Sequence, residues 1–119
     1  MDDGYGETGG LRWGSGFGSG WNASWPSARL RVSPERITIT LNGIGLVRRS
    51  FVFAAADLHG LRFRPGRFPF STGLVIGHRN PAQPPFILFW TFRPLALRKA
   101  LIAMGYGVND SVEGVLPER

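Results

Sequence analysis

Apolar residues fill both alternating sets from Phe86 to Phe92, with Thr91 the one exception. This pattern predicts a strand covered on both faces, and the run is too short to cross a bilayer. The period then changes. Pro94 suits the first turn of a helix and Gly105 the left-handed position just past its end, so a helix is expected from Pro94 to Met104. Further upstream the period is two. Leu30 and Val32 oppose Arg29, Arg31 and Ser33, the Ser33-Pro34-Glu35-Arg36 segment carries proline where a type I turn wants it, and Ile37, Ile39 and Leu41 alternate with Thr38 and Thr40. Asn42-Gly43 signals a two-residue type I′ hairpin, placing Leu41 opposite Ile44 and Ile39 opposite Leu46. Phe51 and Phe53 then fall at the wrong parity, which predicts a bulge or strand break near Arg48-Arg49-Ser50.

Trp13-Gly14-Ser15-Gly16-Phe17-Gly18-Ser19-Gly20-Trp21 places glycine at every even position and an aromatic at every fourth residue, which predicts a first strand with one bulky and one bare face, the alternative being a flexible tail whose aromatics dock only on a partner. Trp25-Pro26 ends that segment. Ala54 to Asp57 makes a corner into a strand with Leu61 and Phe63 inward, Pro65-Gly66-Arg67 turns the chain, and Gly73 to His78 forms another strand. Asn80 to Pro84 is a connection to the Phe86 strand, and Tyr106 to Asn109 folds back after the helix. The expected order is seven strands and then one helix. Residues 1–10 form an acidic glycine-rich tail, residues 11–107 the domain, and residues 108–119 a second acidic tail.

One core suffices for 119 residues, and the absence of cysteine removes disulfides and thiolate metal sites. An acidic start with no apolar run after it is not a secretory signal, so the expectation is a cytoplasmic protein. The charge is unevenly distributed. Residues 8–109 hold thirteen Arg or Lys against Glu35 and Asp57 alone, while both ends are acidic, giving a basic body that attracts anionic partners and tails that compete for it. Gly4-Tyr5-Gly6-Glu7-Thr8-Gly9 matches a dinucleotide fingerprint by letters, but no strand precedes it and no helix opens on it.

The element order, Phe51-Val52-Phe53 through Asp57 leading into Leu61-Arg62-Phe63, and the Phe89-Trp90-Thr91 strand joined directly to its helix resemble the pleckstrin homology (PH) superfold. The similarity is closer to the small bacterial PH-like and GRAM-like domains, over about residues 11 to 107. The resemblance implies a mainly β fold, a seven-stranded antiparallel PH-like barrel of two orthogonal sheets capped by one C-terminal α-helix. Lipid-binding members carry basic residues around the loop between their first two strands; the corresponding Asn22 to Pro26 has none.

Two histidines, His59 and His78, and scattered carboxylates and serines show no catalytic spacing, so no catalytic residue, metal ligand or cofactor is expected. Binding is the remaining class. Arg62 and Arg64 project from one sheet face with Arg67 in the following turn, and Arg29 and Arg31 from another, as candidates for an anionic partner. On the helix, Leu97, Leu101 and Met104 form the core stripe, whereas Leu95 and Ile102 lie together between Arg98 and Lys99, a candidate surface for a protein partner or a second copy. The expected function is a non-enzymatic interaction module for a protein or an anionic membrane surface. The alternative is a nucleic-acid binder that uses the arginine face with Trp13, Phe17 and Trp21.

Overall fold

A computed structural model describes residues 4–16, 19–42, 48–65 and 72–109. Among these residues seven strands precede one helix: β1 Tyr5–Gly16, β2 Ser19–Val32, β3 Arg36–Asn42, β4 Arg48–Ala54, β5 Leu58–Pro65, β6 Thr72–His78, β7 Phe86–Thr91 and α1 Pro94–Ala103. A single 3₁₀ turn, Ala55–Asp57, joins β4 to β5. All strand pairs are antiparallel and form one sheet in the order β4-β3-β2-β1-β7-β6-β5, curled into a half-barrel.

The β2–β3 hairpin follows its pattern. Val32 pairs with Ile37, and the Ser33 N–H donates to the Arg36 carbonyl across 2.9 Å. The next hairpin does not. Leu41 pairs with Arg49 and Asn42 with Arg48, so the two-residue turn at Asn42-Gly43 is overturned. Residues 48–54 also pair without a register shift, so the bulge expected near Arg48-Arg49-Ser50 is absent. The physical reason is burial. This register sets Phe51 opposite Ile39 and Phe53 opposite Ile37, with all four side chains fully buried. Burying each phenylalanine stabilises by about 1.5–3 kcal/mol, more than a local turn preference offers.

The glycine-aromatic segment is a second correction. Rather than one strand from Leu11 to Trp21, it is a hairpin in which Gly16 pairs with Ser19 and Trp13 with Trp21. Gly20 has φ +134°, and a Cβ there would meet the Trp13 carbonyl oxygen at 2.2 Å, so only glycine fits. The strand that enters this hairpin starts at Tyr5, so residues 5–10, set apart as a tail in the sequence, form half of β1. Nor does Trp25-Pro26 end the segment. It lies within β2, where Ser24 to Ser27 stand opposite Gly10 alone, between the pairs Gly9–Ala28 and Leu11–Ala23, and its peptide bond is cis.

The concave face holds the core: Leu11, Leu30, Ile37, Ile39, Phe51, Phe53, Leu61, Leu74, Ile87 and Phe89 are all buried. Helix α1 closes one end with Leu97 and Leu101. Pro94 stands in its first turn, and its C-terminus is capped by the Gly105 N–H on the Ile102 carbonyl and the Tyr106 N–H on the Leu101 carbonyl, with Gly105 at φ +94°. The Tyr106 hydroxyl then donates to the Ser33 carbonyl at 2.6 Å, tying the post-helix segment to the β2–β3 turn.

Candidate functional site

Six large apolar side chains are exposed among the described residues, and four of them fall on or beside α1. The three extra residues of β2 lift Trp25 to the surface, where its ring meets Phe92 edge-on at 6.3 Å. Trp25 is 56% exposed and Phe92 47%. Phe92 leads through Arg93 into the helix, whose face away from the core carries Leu95, Lys99 and Ile102 at the i, i+4 and i+7 spacing. Leu95 and Ile102 are 45% and 48% exposed, and Arg93 and Lys99 are exposed as well. Arg98, half-buried, flanks this face and engages a neighbour. The sequence-predicted face of Leu95, Arg98, Lys99 and Ile102 is therefore on the surface, and the fold extends it with Trp25 and Phe92.

The strip is apolar and cationic. None of the three described carboxylates is exposed on it: Glu7 is buried beneath the start of the helix, where it faces Arg93, Glu35 is in the β2–β3 turn and Asp57 is in the 3₁₀ turn. An arrangement of aromatic and aliphatic side chains beside cations suits an anionic interface, where the rings and chains leave water while the charges stay at its edge.

The arginines do not converge. Arg29 and Arg31 are exposed on β2, with Arg29 opposite Thr8 and Thr40 and its Nη1 at 3.4 Å from Thr8 Oγ1. Arg62 is exposed and Arg64 half-buried on β5, opposite Val75 and Gly73. Strands β1, β7 and β6 separate β2 from β5 in the sheet, so the two groups are distinct surfaces. Arg67 lies outside the described residues, as does Phe17. Of the aromatics proposed for nucleic acid, Trp13 is half-buried and packs on Phe51 at 5.4 Å beneath the Arg49 guanidinium, while Trp21 is 69% exposed.

Sequence reasoning missed a polar cluster beneath the start of the helix. Glu7 points inward from β1 and is 5% exposed. It accepts the Tyr5 hydroxyl at 2.6 Å and the Thr91 hydroxyl, and Thr91 Oγ1 in turn accepts the Arg93 N–H at 2.9 Å. This chain of bonds ties β1 to the β7–α1 junction. Burial pushes the Glu7 carboxyl above its ordinary value against the two hydroxyl donors and the Arg93 charge, and burial together with Glu7 pushes the Tyr5 hydroxyl up. The available signal was parity, since Tyr5, Glu7 and Gly9 continue the inward set of Leu11 and Trp13.

The histidines hold loops. The Asn80 N–H donates to His78 Nδ1 at 3.0 Å, which leaves Nε2 to donate to the Pro84 carbonyl at 2.8 Å, and the ring packs 4.6 Å from Phe53. His59, the extra residue where β5 slips against β6, places Nε2 3.2 Å from the His78 carbonyl oxygen. A cavity of about 300 Å³ opens between Pro34, Leu58, His59, Leu61, Met104 and Tyr106. Among the described residues no three His, Asp or Glu side chains are grouped as metal ligands, and no helix is long and apolar enough to cross a membrane. Comparison of the sequence with protein-family models and with curated proteins returns no match.

Proposed function

We propose that the chain is a non-enzymatic interaction module of PH-like or GRAM-like build that docks on an anionic membrane surface from the cytoplasmic side. The PH-like reading is supported by seven antiparallel strands followed by one helix that closes an end of the half-barrel; on this reading β1 to β4 and β5 to β7 act as its two crossed sheets. The docking reading is carried by one observation. The exposed Trp25–Phe92 pair runs into the Leu95, Lys99 and Ile102 face of α1, and no described carboxylate is exposed on that strip. Trp and Phe supply apolar area for the acyl boundary, and Arg93 and Lys99 supply the attraction to anionic head groups.

The test is sedimentation with vesicles, zwitterionic or containing anionic lipid, for the wild-type chain and for the double variants Leu95→Glu/Ile102→Glu and Trp25→Ala/Phe92→Ala. Because these side chains are exposed, the fold should persist, and an unchanged melting midpoint checks this. Membrane docking predicts binding to anionic vesicles only, reduced about tenfold or more by either variant. No binding to anionic vesicles overturns it. A parallel arm with mixed-sequence single-stranded DNA identifies the nucleic-acid alternative by a steep log-log loss of binding with salt. A fall in sedimenting mass on Leu95→Glu/Ile102→Glu assigns the helix face to a second copy instead.

A further inference from the structure

The cavity of about 300 Å³ is built without the docking strip: Trp25, Phe92, Leu95, Lys99 and Ile102 form none of its walls. Four segments meet around it, and each is pinned. The Ser33 and Glu35 carbonyls on either side of Pro34 accept the Tyr106 hydroxyl at 2.6 Å and the Ala55 N–H at 2.9 Å. On β5 the Leu61 carbonyl accepts the Asn109 N–H at 2.7 Å, and His59 Nε2 lies 3.2 Å from the His78 carbonyl oxygen. Beyond the helix, the Gly105 and Tyr106 N–H groups are held by the Ile102 and Leu101 carbonyls. The walls are therefore held apart by bonds of their own, as in a preformed ligand site. Glycine keeps them open. A Cβ at Gly60 or at Gly107 would meet nothing within 4 Å, and neither residue has a positive φ.

The lining selects against charge. The chain carries 14 Lys or Arg and 8 Asp or Glu, yet none of these is among the described residues that line the cavity. Its floor is apolar: Leu61 and the Tyr106 ring are buried in the core, and Leu58 and Met104 pack against it. Among the described residues no buried side-chain nitrogen or oxygen lacks a partner, so no side chain in the wall calls for an ion or a bound water. His59 supplies the one polar feature. Because a carbonyl oxygen only accepts, Nε2 carries the proton, and Nδ1 of the neutral ring is an acceptor. We propose that the cavity is a binding site for a small uncharged aromatic molecule with one N–H or O–H donor, of the size of indole. At about 30 Å³ for each water-sized group the volume holds about ten non-hydrogen atoms, which a bicyclic ring fills. The ring lies on Leu58, Leu61, Met104 and Tyr106, and its donor meets His59 Nδ1.

Titration of the full-length chain with indole and with 1-methylindole, followed by the amide NMR shifts of Gly60, Leu61 and Gly107, tests this. Indole is expected to shift these amides with a dissociation constant of about 1 mM or below. 1-Methylindole, which lacks the donor, should bind about fivefold more weakly. His59→Ala should lower indole to the affinity of 1-methylindole and leave 1-methylindole unchanged. Gly60→Leu and Gly107→Leu place a side chain in open space, so each should keep the melting midpoint and abolish binding of both probes. Failure of indole to shift the three amides in the wild-type chain overturns the proposal, and that measurement needs no variant to fold. Binding that survives both leucine variants also overturns it, as does indole binding that His59→Ala leaves unchanged. So does binding that weakens as protein concentration rises, which assigns the cavity to a side chain of a second copy.

Discussion

Replacing Glu7 probes the contact that joins the first strand to the helix. In the folded chain its carboxylate takes two hydroxyl donors, Tyr5 and Thr91, and Thr91 also takes the Arg93 N–H. Glu7→Ala leaves the buried Thr91 hydroxyl without its acceptor, while the half-exposed Tyr5 hydroxyl finds water. A buried donor left unsatisfied costs about 1–3 kcal/mol, so the expected loss is about 2 kcal/mol. For a chain of this length that lowers the melting midpoint by roughly 6–12 °C. Glu7→Gln keeps the shape and one acceptor but removes the titration. Because burial raises the folded carboxyl above its unfolded value, the folded chain holds the proton more tightly than the unfolded one. Stability from this group is therefore complete below the unfolded value and is lost as pH rises through the folded value. Tyr5, Thr91 and Arg93 are the groups that face it, and Arg93 opposes the rise. Urea unfolding from about pH 4 upward starts at the ordinary Glu value and follows the raised titration. The wild type should lose stability relative to Glu7→Gln as pH increases over this window. Parallel curves for the two proteins, or a Glu7→Ala variant as stable as wild type, would refute the reasoning.

Four further substitutions examine backbone placement. A Cβ at Gly9 would meet the Trp90 carbonyl oxygen at 2.1 Å and Phe89 Cζ at 2.6 Å, so Gly9→Ala must push β1 off β7 and should cost about 3 kcal/mol in denaturant titration. Gly60→Ala, with nothing within 4 Å, is the matched control, expected within about 0.5 kcal/mol of wild type. Gly105→Ala forces φ +94° on a residue with a side chain and should cost about 1 kcal/mol of thermal stability, and Tyr106→Phe, which removes the 2.6 Å bond to Ser33, a similar amount.

Local chemistry determined much of this protein. The two-residue alternation of Ile37, Ile39 and Leu41, the proline turn at Ser33-Pro34-Glu35-Arg36, the doubly covered Phe86 strand and the Pro94-to-Gly105 helix were legible because each depends on neighbours in sequence. The same helical spacing exposed Leu95 and Ile102 in advance. Tertiary structure alone decided the rest, wherever two distant segments compete for one register. Asn42-Gly43 favours a tight turn, but Phe51 and Phe53 bury more area than that turn can offset. The glycine-aromatic run alternates like one strand, and only the pairing of Trp13 with Trp21 makes it a hairpin. Glu7 looks like a tail residue until Thr91, 84 positions away, places a hydroxyl on it, and Trp25 joins the helix face only through Phe92. Patterning fixes which face of an element is apolar, whereas the partner against which that face is buried depends on pairings that span the whole chain.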